Sequence, residues 1–190
     1  MAFSLSAIRR RLKSERRLAT LVRRPDPELP FADPKRIPPG ADVLLDTCVY
    51  LDAAADRLPD GVAALLPRAV LHHSSVCLAE LTYGLGALDP RDRRSRANCQ
   101  VLEDVVVRAQ ESGRIVVPDD SAWATAGMLA GMLARLQGYG REQRRKVLLD
   151  SLLFLSALKS GMTLLTANLT DFDLMLQLLP DSRVTFYRAT

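Results

Sequence analysis

From residue 43 onward, short and long apolar stretches alternate along the chain. The short ones are VLLD (43–46), the weaker HHSSV (72–76), RIVVP (114–118), MTLLTAN (162–168) and RVTFY (183–187). Brief runs bounded by polar residues or proline predict buried strands. Between them, apolar residues recur three or four apart, which predicts helices over 62–70, 77–88, 94–113, 119–140, 141–161 and 169–179. Pro67 interrupts the first of these, and Gly113 and Gly161 close two others. Strands separated by helices imply a parallel sheet covered on both faces. Within 119–140, Gly127 and Gly131 are four apart and are expected to admit a closely packed backbone, with Trp123 in the core.

The first forty residues follow another pattern. Residues 1–24 place Leu5, Ile8, Leu12, Leu18, Leu21 and Val22 at roughly helical spacing, with eight basic residues against the single acid Glu15. A basic amphipathic helix that docks on the body or on a partner is expected there; a nucleic-acid arm, a membrane-surface helix and an organelle transit peptide are the sharper alternatives. Residues 25–40 hold six of the eleven prolines and predict an extended linker. The expected division is therefore a basic helix over 1–24, a Pro-rich linker over 25–40 and a compact domain over 41–190.

Charge supports that division. The net +4 conceals ten Lys/Arg against four Asp/Glu in residues 1–40, and sixteen against eighteen in the remainder. The body is mildly acidic, so any nucleic acid must meet local basic patches or bound cations. No apolar run reaches the ~20 residues that span a bilayer. Three cysteines without a CxxC pair read as small buried thiols, and with no secretory signal the expected location is the cytoplasm.

One acid stands out. Asp150 lies within VLLDSLLFLSALKSG (147–161), where residues 151–158 carry no charge. On a helix it shares a face with Lys146, Val147, Leu153 and Phe154, so its carboxylate loses water and needs a cation or hydrogen bonds in exchange. A partly exposed acid paired with Lys146 is the plain alternative. Ligands of open parallel sheets bind beyond the carboxyl ends of the strands. Asp46 ends the first strand, Asn168 and Asp171 follow TLLT, Glu80 lies a turn beyond HHSSV, and Asp150 sits on the helix that feeds TLLT. Four acids brought together repel one another, and a hard divalent cation relieves the repulsion. Carboxylates point to Mg²⁺ or Mn²⁺, and such a site to phosphate-ester chemistry.

Together these segments resemble the PIN-domain family. VLLDTCVYLD resembles its opening strand and aspartate, and SSVCLAELTYG its glutamate in an ELxxG context. DSLLFLSALKSGMTLLTANLTDF resembles the aspartate-bearing helix, the glycine, the strand ending in Thr and the closing acidic motif. Order and spacing hold over 43–187, and the compact size is similar to the VapC-type toxin ribonucleases. The resemblance implies a three-layer α/β/α sandwich with a parallel sheet of about five strands, an endoribonuclease dependent on Mg²⁺ or Mn²⁺, a small antitoxin partner and a homodimer. It implies metal ligation by Asp46, Glu80 and Asp150, with Asn168 and Asp171 completing the catalytic set and Thr47 and Thr166 near the pocket. Two features depart from the family: Asn168 stands where an acid is usual, and residues 1–40 precede the pattern. The amide oxygen of Asn168 is expected to reach the ion or a water on it.

Plainer roles exist for single residues. Asp46 fits the N-cap of a following helix, Glu80 a solvated helix charge, and Asp171 the cap of its own helix. Asp52 and Asp173 read as surface acids, and His72 and His73 point to opposite faces of a strand. Arg91, Arg93, Arg94 and Arg96 form one basic cluster, and Arg141, Arg144, Arg145 and Lys146 another. Arg93, Arg94, Arg144 and Arg145 are the expected phosphate contacts, with binding that weakens steeply in salt. With 5% aromatics, base stacking is not an obvious main contribution. A non-catalytic PIN-like scaffold that binds RNA or a protein is the first rival. An α/β phospho-acceptor or nucleotide-binding domain is the second, although no Gly-rich phosphate loop is present.

Overall fold

Each short apolar run becomes a strand of one parallel sheet, and each periodic stretch a helix beside it. The structure, a computed structural model, describes residues 4–89 and 91–190; of residues 93–98 it describes the backbone alone. The strands are β1 (Asp42–Leu45), β2 (Val70–Ser74), β3 (Ile115–Val116), β4 (Thr163–Thr166) and β5 (Arg183–Phe186), in the order β3-β2-β1-β4-β5. All four pairings are parallel, and Leu44 of β1 lies between His72 of β2 and Leu164 of β4.

The helices are α1 (Leu5–Leu12), α2 (Thr47–Ala54), α3 (Asp60–Leu65), α4 (Ser75–Ala87), α5 (Arg93–Glu111), α6 (Asp120–Gln137), α7 (Arg141–Ser160) and α8 (Leu169–Leu178). The chain travels from β1 outward to β3 and then crosses to β4 on the other side of β1. Crossovers of one hand therefore lay helices on both faces of the sheet. The reversal leaves a crevice at the carboxyl ends of β1 and β4, where ligands of open α/β sheets bind.

Several expectations change. α2 was foreseen only through the capping role open to Asp46; its buried residues are Val49, Tyr50 and Asp52, so an acid lies within its inner face. Asp52 is no surface acid; the Tyr187 hydroxyl donates to it at 2.7 Å and Arg57 pairs with it at 2.8 Å. Trp123 is 50% exposed rather than core. Gly127 and Gly131 face open space, where an added Cβ would meet nothing within 4 Å. Their helix packs on α7, and Leu129, Leu133 and Leu136 are buried on its opposite side.

Residues 1–24 hold a helix of eight residues. Ser4 caps its start, Ile8 and Leu12 bury against the body, and Lys13 ends it at φ +50°. Beyond it the body grips the chain by its carbonyls. Arg135 donates to the Ser14 and Arg17 oxygens at 3.2 and 3.0 Å, Gln137 to that of Leu21 at 3.1 Å, and Gln177 to that of Val22 at 2.9 Å. Arg24 then reaches Asp173, which is fully buried and not a surface acid. Its Nε donates to Oδ1 at 2.7 Å and its backbone N–H to Oδ2 at 2.8 Å. The Pro-rich stretch runs beside β5: Phe31 bridges Phe186, Ala32 N–H donates to the Phe186 carbonyl at 2.7 Å, and Phe186 N–H to that of Pro30 at 2.9 Å. An edge strand that would otherwise show unpaired backbone groups is covered.

Candidate active site

β1 and β4 set the floor of the site. The Asp46 N–H donates to the Leu165 carbonyl at 3.1 Å, which carries the ladder one residue past β1 and fixes where the Asp46 side chain begins. That side chain is also the N-cap of α2: Oδ1 accepts the Thr47 N–H at 2.7 Å. Oδ2 accepts from the Thr166 hydroxyl at 2.6 Å and the Cys48 thiol at 3.2 Å. The capping role and the site role fall on one residue, because a carboxylate has lone pairs for both. Burial pushes the Asp46 carboxyl up, and its hydrogen bonds from Thr166, Cys48 and Thr47 pull against that.

Glu80 stands one turn into α4 and is half-buried. Thr47 donates its hydroxyl to Glu80 Oε2, so the residue after Asp46 ties the two acids' elements together. Burial raises the Glu80 carboxyl as well, against the Thr47 hydrogen bond.

Asp150 lies on α7, 6% exposed among Val147, Leu153 and Phe154. Burial, then the charges of Asp46, Asp171 and Glu80, push its carboxyl up to about 8, with Lys146 partly offsetting them. Lys146 is not its bonded partner. The ammonium sits 3.1 Å from Asp171 Oδ2 and acts on Asp150 through space. Partial burial works against that ammonium, yet Asp150, Asp171 and Asp46 hold it above the ordinary lysine range. The nearest bonded partner of Asp150 is Asn168, whose Nδ2 donates to Oδ2 at 3.2 Å.

Asn168 behaves differently from the expectation. It is the N-cap of α8, and its Oδ1 accepts the Asp171 N–H at 3.2 Å. A backbone donor requires the oxygen on that side, which turns Nδ2 toward Asp150 and toward Asp171 Oδ2 at 2.9 Å. The amide therefore bridges two carboxylates as a donor, and its oxygen faces the cap. Asp171 is not the cap; it sits at the third position of α8 and collects Asn168, Lys146 and the Tyr139 hydroxyl at 3.1 Å. Burial opposes its charge, but these partners hold its carboxyl below the usual range.

Thr166 is buried, donates to Asp46 and accepts the Asn168 N–H at 2.9 Å. Arg144 Nε donates to the Tyr139 carbonyl at 2.9 Å, and the Arg145 guanidinium lies over the Tyr83 ring. The side chains of Arg93 and Arg94 lie outside the described residues. The structure thus brings Asp46, Glu80, Asp150, Asn168, Asp171, Thr47 and Thr166 to one crevice. Sequence reasoning missed Cys48 and Tyr139, which also touch the acids. Cys48 was visible two residues from Asp46; nothing in sequence linked Tyr139 to Asp171, 32 residues on. The Cys48 thiol is pushed up to about 12 by burial and by Asp46, so it stays protonated as a donor.

Four carboxylates share one ammonium in a place short of water. All-oxygen donors of this kind suit Mg²⁺ or Mn²⁺. Among the described residues no three His, Cys, Asp or Glu converge into a ready-made cage. Magnesium is ordinarily held by one or two carboxylates and several waters, so the donor set fits it.

No family model matches the chain, and no curated protein matches it by sequence. Solved structures do match. The crystal structure of FitAcB from Neisseria gonorrhoeae superposes with a TM-score of 0.53, at 20% identity, over 75% of this chain and 96% of the matched one. The structure of FitAB bound to an IR36 DNA fragment gives 0.51, at 20% identity, over 76% and 94%. The fold is PIN-like. VapBC2 from Rickettsia felis, bound to a DNA fragment from its promoter, is also similar, with a TM-score of 0.49 at 20% identity over 77% and 98%. The five-strand parallel sheet and helices on both faces are the architecture that the sequence pattern implied. Among the described residues, no helix of this PIN-like chain is long and apolar enough to cross a membrane.

Proposed function

We propose that this chain is a Mg²⁺- or Mn²⁺-dependent endoribonuclease, the toxin of a toxin–antitoxin pair, working in the cytoplasm as a homodimer. One observation carries the catalytic part: Asp150 is a buried acid with no bonded cation among the described residues, and Asp46, Asp171 and Glu80 all act against its charge. Such an arrangement costs stability, and a cation in front of Asp150 would offset it. The antitoxin comes from the resemblance of the four motifs and the likeness to toxin–antitoxin complexes, and the dimer from the resemblance alone.

Asp46, Asp150 and Glu80 would hold the ion. When bound, it supplies positive charge at the scissile phosphate and lowers the pKa of a coordinated water. Thr166 and Thr47 fix the Asp46 and Glu80 carboxylates by hydrogen bonds. Asn168 keeps Asp150 and Asp171 in fixed relation, and Lys146 balances part of the charge when the ion is away. Asp171 is a positioning residue, since it holds Asn168, Lys146 and the Tyr139 hydroxyl in place around Asp150. Arg144, with Arg93 and Arg94, would contact RNA phosphates, while Arg145 stands against the Tyr83 ring.

A second reading, a PIN-like scaffold that binds without cutting, draws on Asn168, which adds no charge and turns its amide nitrogen toward the acids. Expression of wild type and Asp150→Asn in cells, followed by sequencing of RNA ends, separates the two. The nuclease reading expects discrete new 5′-phosphate ends from wild type only, at equal soluble levels. Purified wild type should cut RNA with Mg²⁺ or Mn²⁺ and stop in EDTA. The variant should lose at least about 100-fold, because outer partners of a metal site already cost 10–100-fold when removed. Cleavage that persists in EDTA, or in the variant, would falsify it.

A further inference from the structure

Beside the acid site lies a second feature, centred on an aromatic side chain that the proposed reaction does not use. A cleft of about 410 Å³ opens between α4 and α7. Glu80, Tyr83, Arg145 and Lys146 line it, Ala79 and Leu149 form apolar wall, and Glu142 stands at one side. Glu80 and Tyr83 are three apart on α4, and Arg145 and Lys146 lie one turn before Leu149 and Asp150 on α7, so the cleft and the acids occupy adjoining stripes of the same helices. Glu80 and Lys146 belong to both.

Tyr83 is 65% exposed, a large aromatic that the core does not claim. The Arg145 guanidinium carbon sits 5.3 Å from the centre of its ring. A planar cation over a planar ring is a preorganised stacking unit. Among the described residues that line it the charges cancel, Glu80 and Glu142 against Arg145 and Lys146, so these residues offer no surplus attraction to a bare phosphate. A flat, neutral group fits it better. We propose that Tyr83 and Arg145 form a stacking site for one unpaired RNA base, the nucleotide next to the bond cut at the acids. This rests on the nuclease reading and adds to it a contact to the base rather than the backbone. Because every base has a π face, the site would hold a single strand in register with little preference for sequence.

The test uses the full chain carrying Asp150→Asn, so that bound RNA survives. Affinity is measured by fluorescence anisotropy for a short single-stranded RNA of mixed sequence, and for an oligomer of equal length with abasic riboses. Tyr83→Leu should weaken RNA binding about 5- to 140-fold, the usual loss for one stacked base. Tyr83→Phe should bind like the parent, and on the abasic oligomer Tyr83→Leu and parent should agree. Equal binding of RNA by Tyr83→Leu and parent overturns the proposal. So does an equal loss on both oligomers, which means a backbone or structural role, or no binding by the parent at low salt. An unchanged RNA affinity with loss of a copurified protein partner assigns the cleft to that partner instead. Wild-type cleavage is scored separately. If wild type cuts nothing yet the base-dependent difference persists, the nuclease reading fails and the stacking site stands; metal-dependent cleavage without that difference removes the site alone.

Discussion

Asp150→Asn is expected to stabilise the metal-free protein while it abolishes cleavage. The amide keeps the shape and the hydrogen bond to Asn168 but carries no charge for Asp46, Asp171 and Glu80 to repel. The sign follows from linkage. An aspartate near 3.8 when unfolded and near 8 when folded binds its proton more tightly in the native state. Below 3.8 both states are protonated and the residue contributes nothing. As pH rises from about 4, the unfolded chain releases the proton first, and the native state falls behind until the pH passes 8. The penalty is therefore complete above pH 8 and is on the order of a few kcal/mol. Thermal unfolding in EDTA, wild type against variant from pH 4 to 9, measures it. The variant's Tm should match wild type at the acid end and exceed it by several degrees at the alkaline end. Mg²⁺ or Mn²⁺ at pH 8 should raise the Tm of wild type more than that of the variant. A variant less stable than wild type at pH 8 would show that the Asp150 charge is already compensated.

Arg24→Ala is expected to cost about 3–5 kcal/mol, the usual loss when one partner of a buried ion pair is removed. Asp173 is fully buried, and its two oxygens are served by the Arg24 side chain, the Arg24 backbone and Gln177 at 2.9 Å. Without the guanidinium the carboxylate keeps two neutral donors and no cation. Asp173→Asn should cost less, and Arg24→Met combined with Asp173→Leu should recover much of the loss, since an apolar pair leaves no orphaned charge. Urea unfolding of the four proteins decides it. Near-wild-type stability of Arg24→Ala would mean that solvent, which reaches the partly exposed Arg24, already compensates Asp173.

The order of strands and helices could be read from the chain because β1 and β4 are buried runs and α7 and α8 keep their apolar period. α2 could not, because its inner face includes Asp52, and a period search treats an acid as outward. Asp150 was legible as a charge in an apolar run. Asp173 was not, although it is the more deeply buried: it sits in an equally apolar helix, but the arginine that satisfies it is 149 residues away. The same distance effect hid Tyr139 from Asp171. Asn168 was found by position and misread in orientation, because only the α8 backbone decides which end of the amide faces the acids. Trp123 and the two glycines of α6 fell on the open side of a helix whose apolar content gives little sense of direction.

The grip of Arg135, Gln137 and Gln177 on the chain between Ser14 and Val22 is made to carbonyl oxygens, which every residue type possesses. Leu18 and Val22 meanwhile stand out in solvent. Such a segment is held by its path and not by its spelling. Apart from Leu21, which packs against the core, and the half-buried Arg17, its residues are free to drift among descendants of this gene, or to be rewritten as an epitope or a linker, while the three residues that hold it and the Arg24 anchor that ends it stay under constraint.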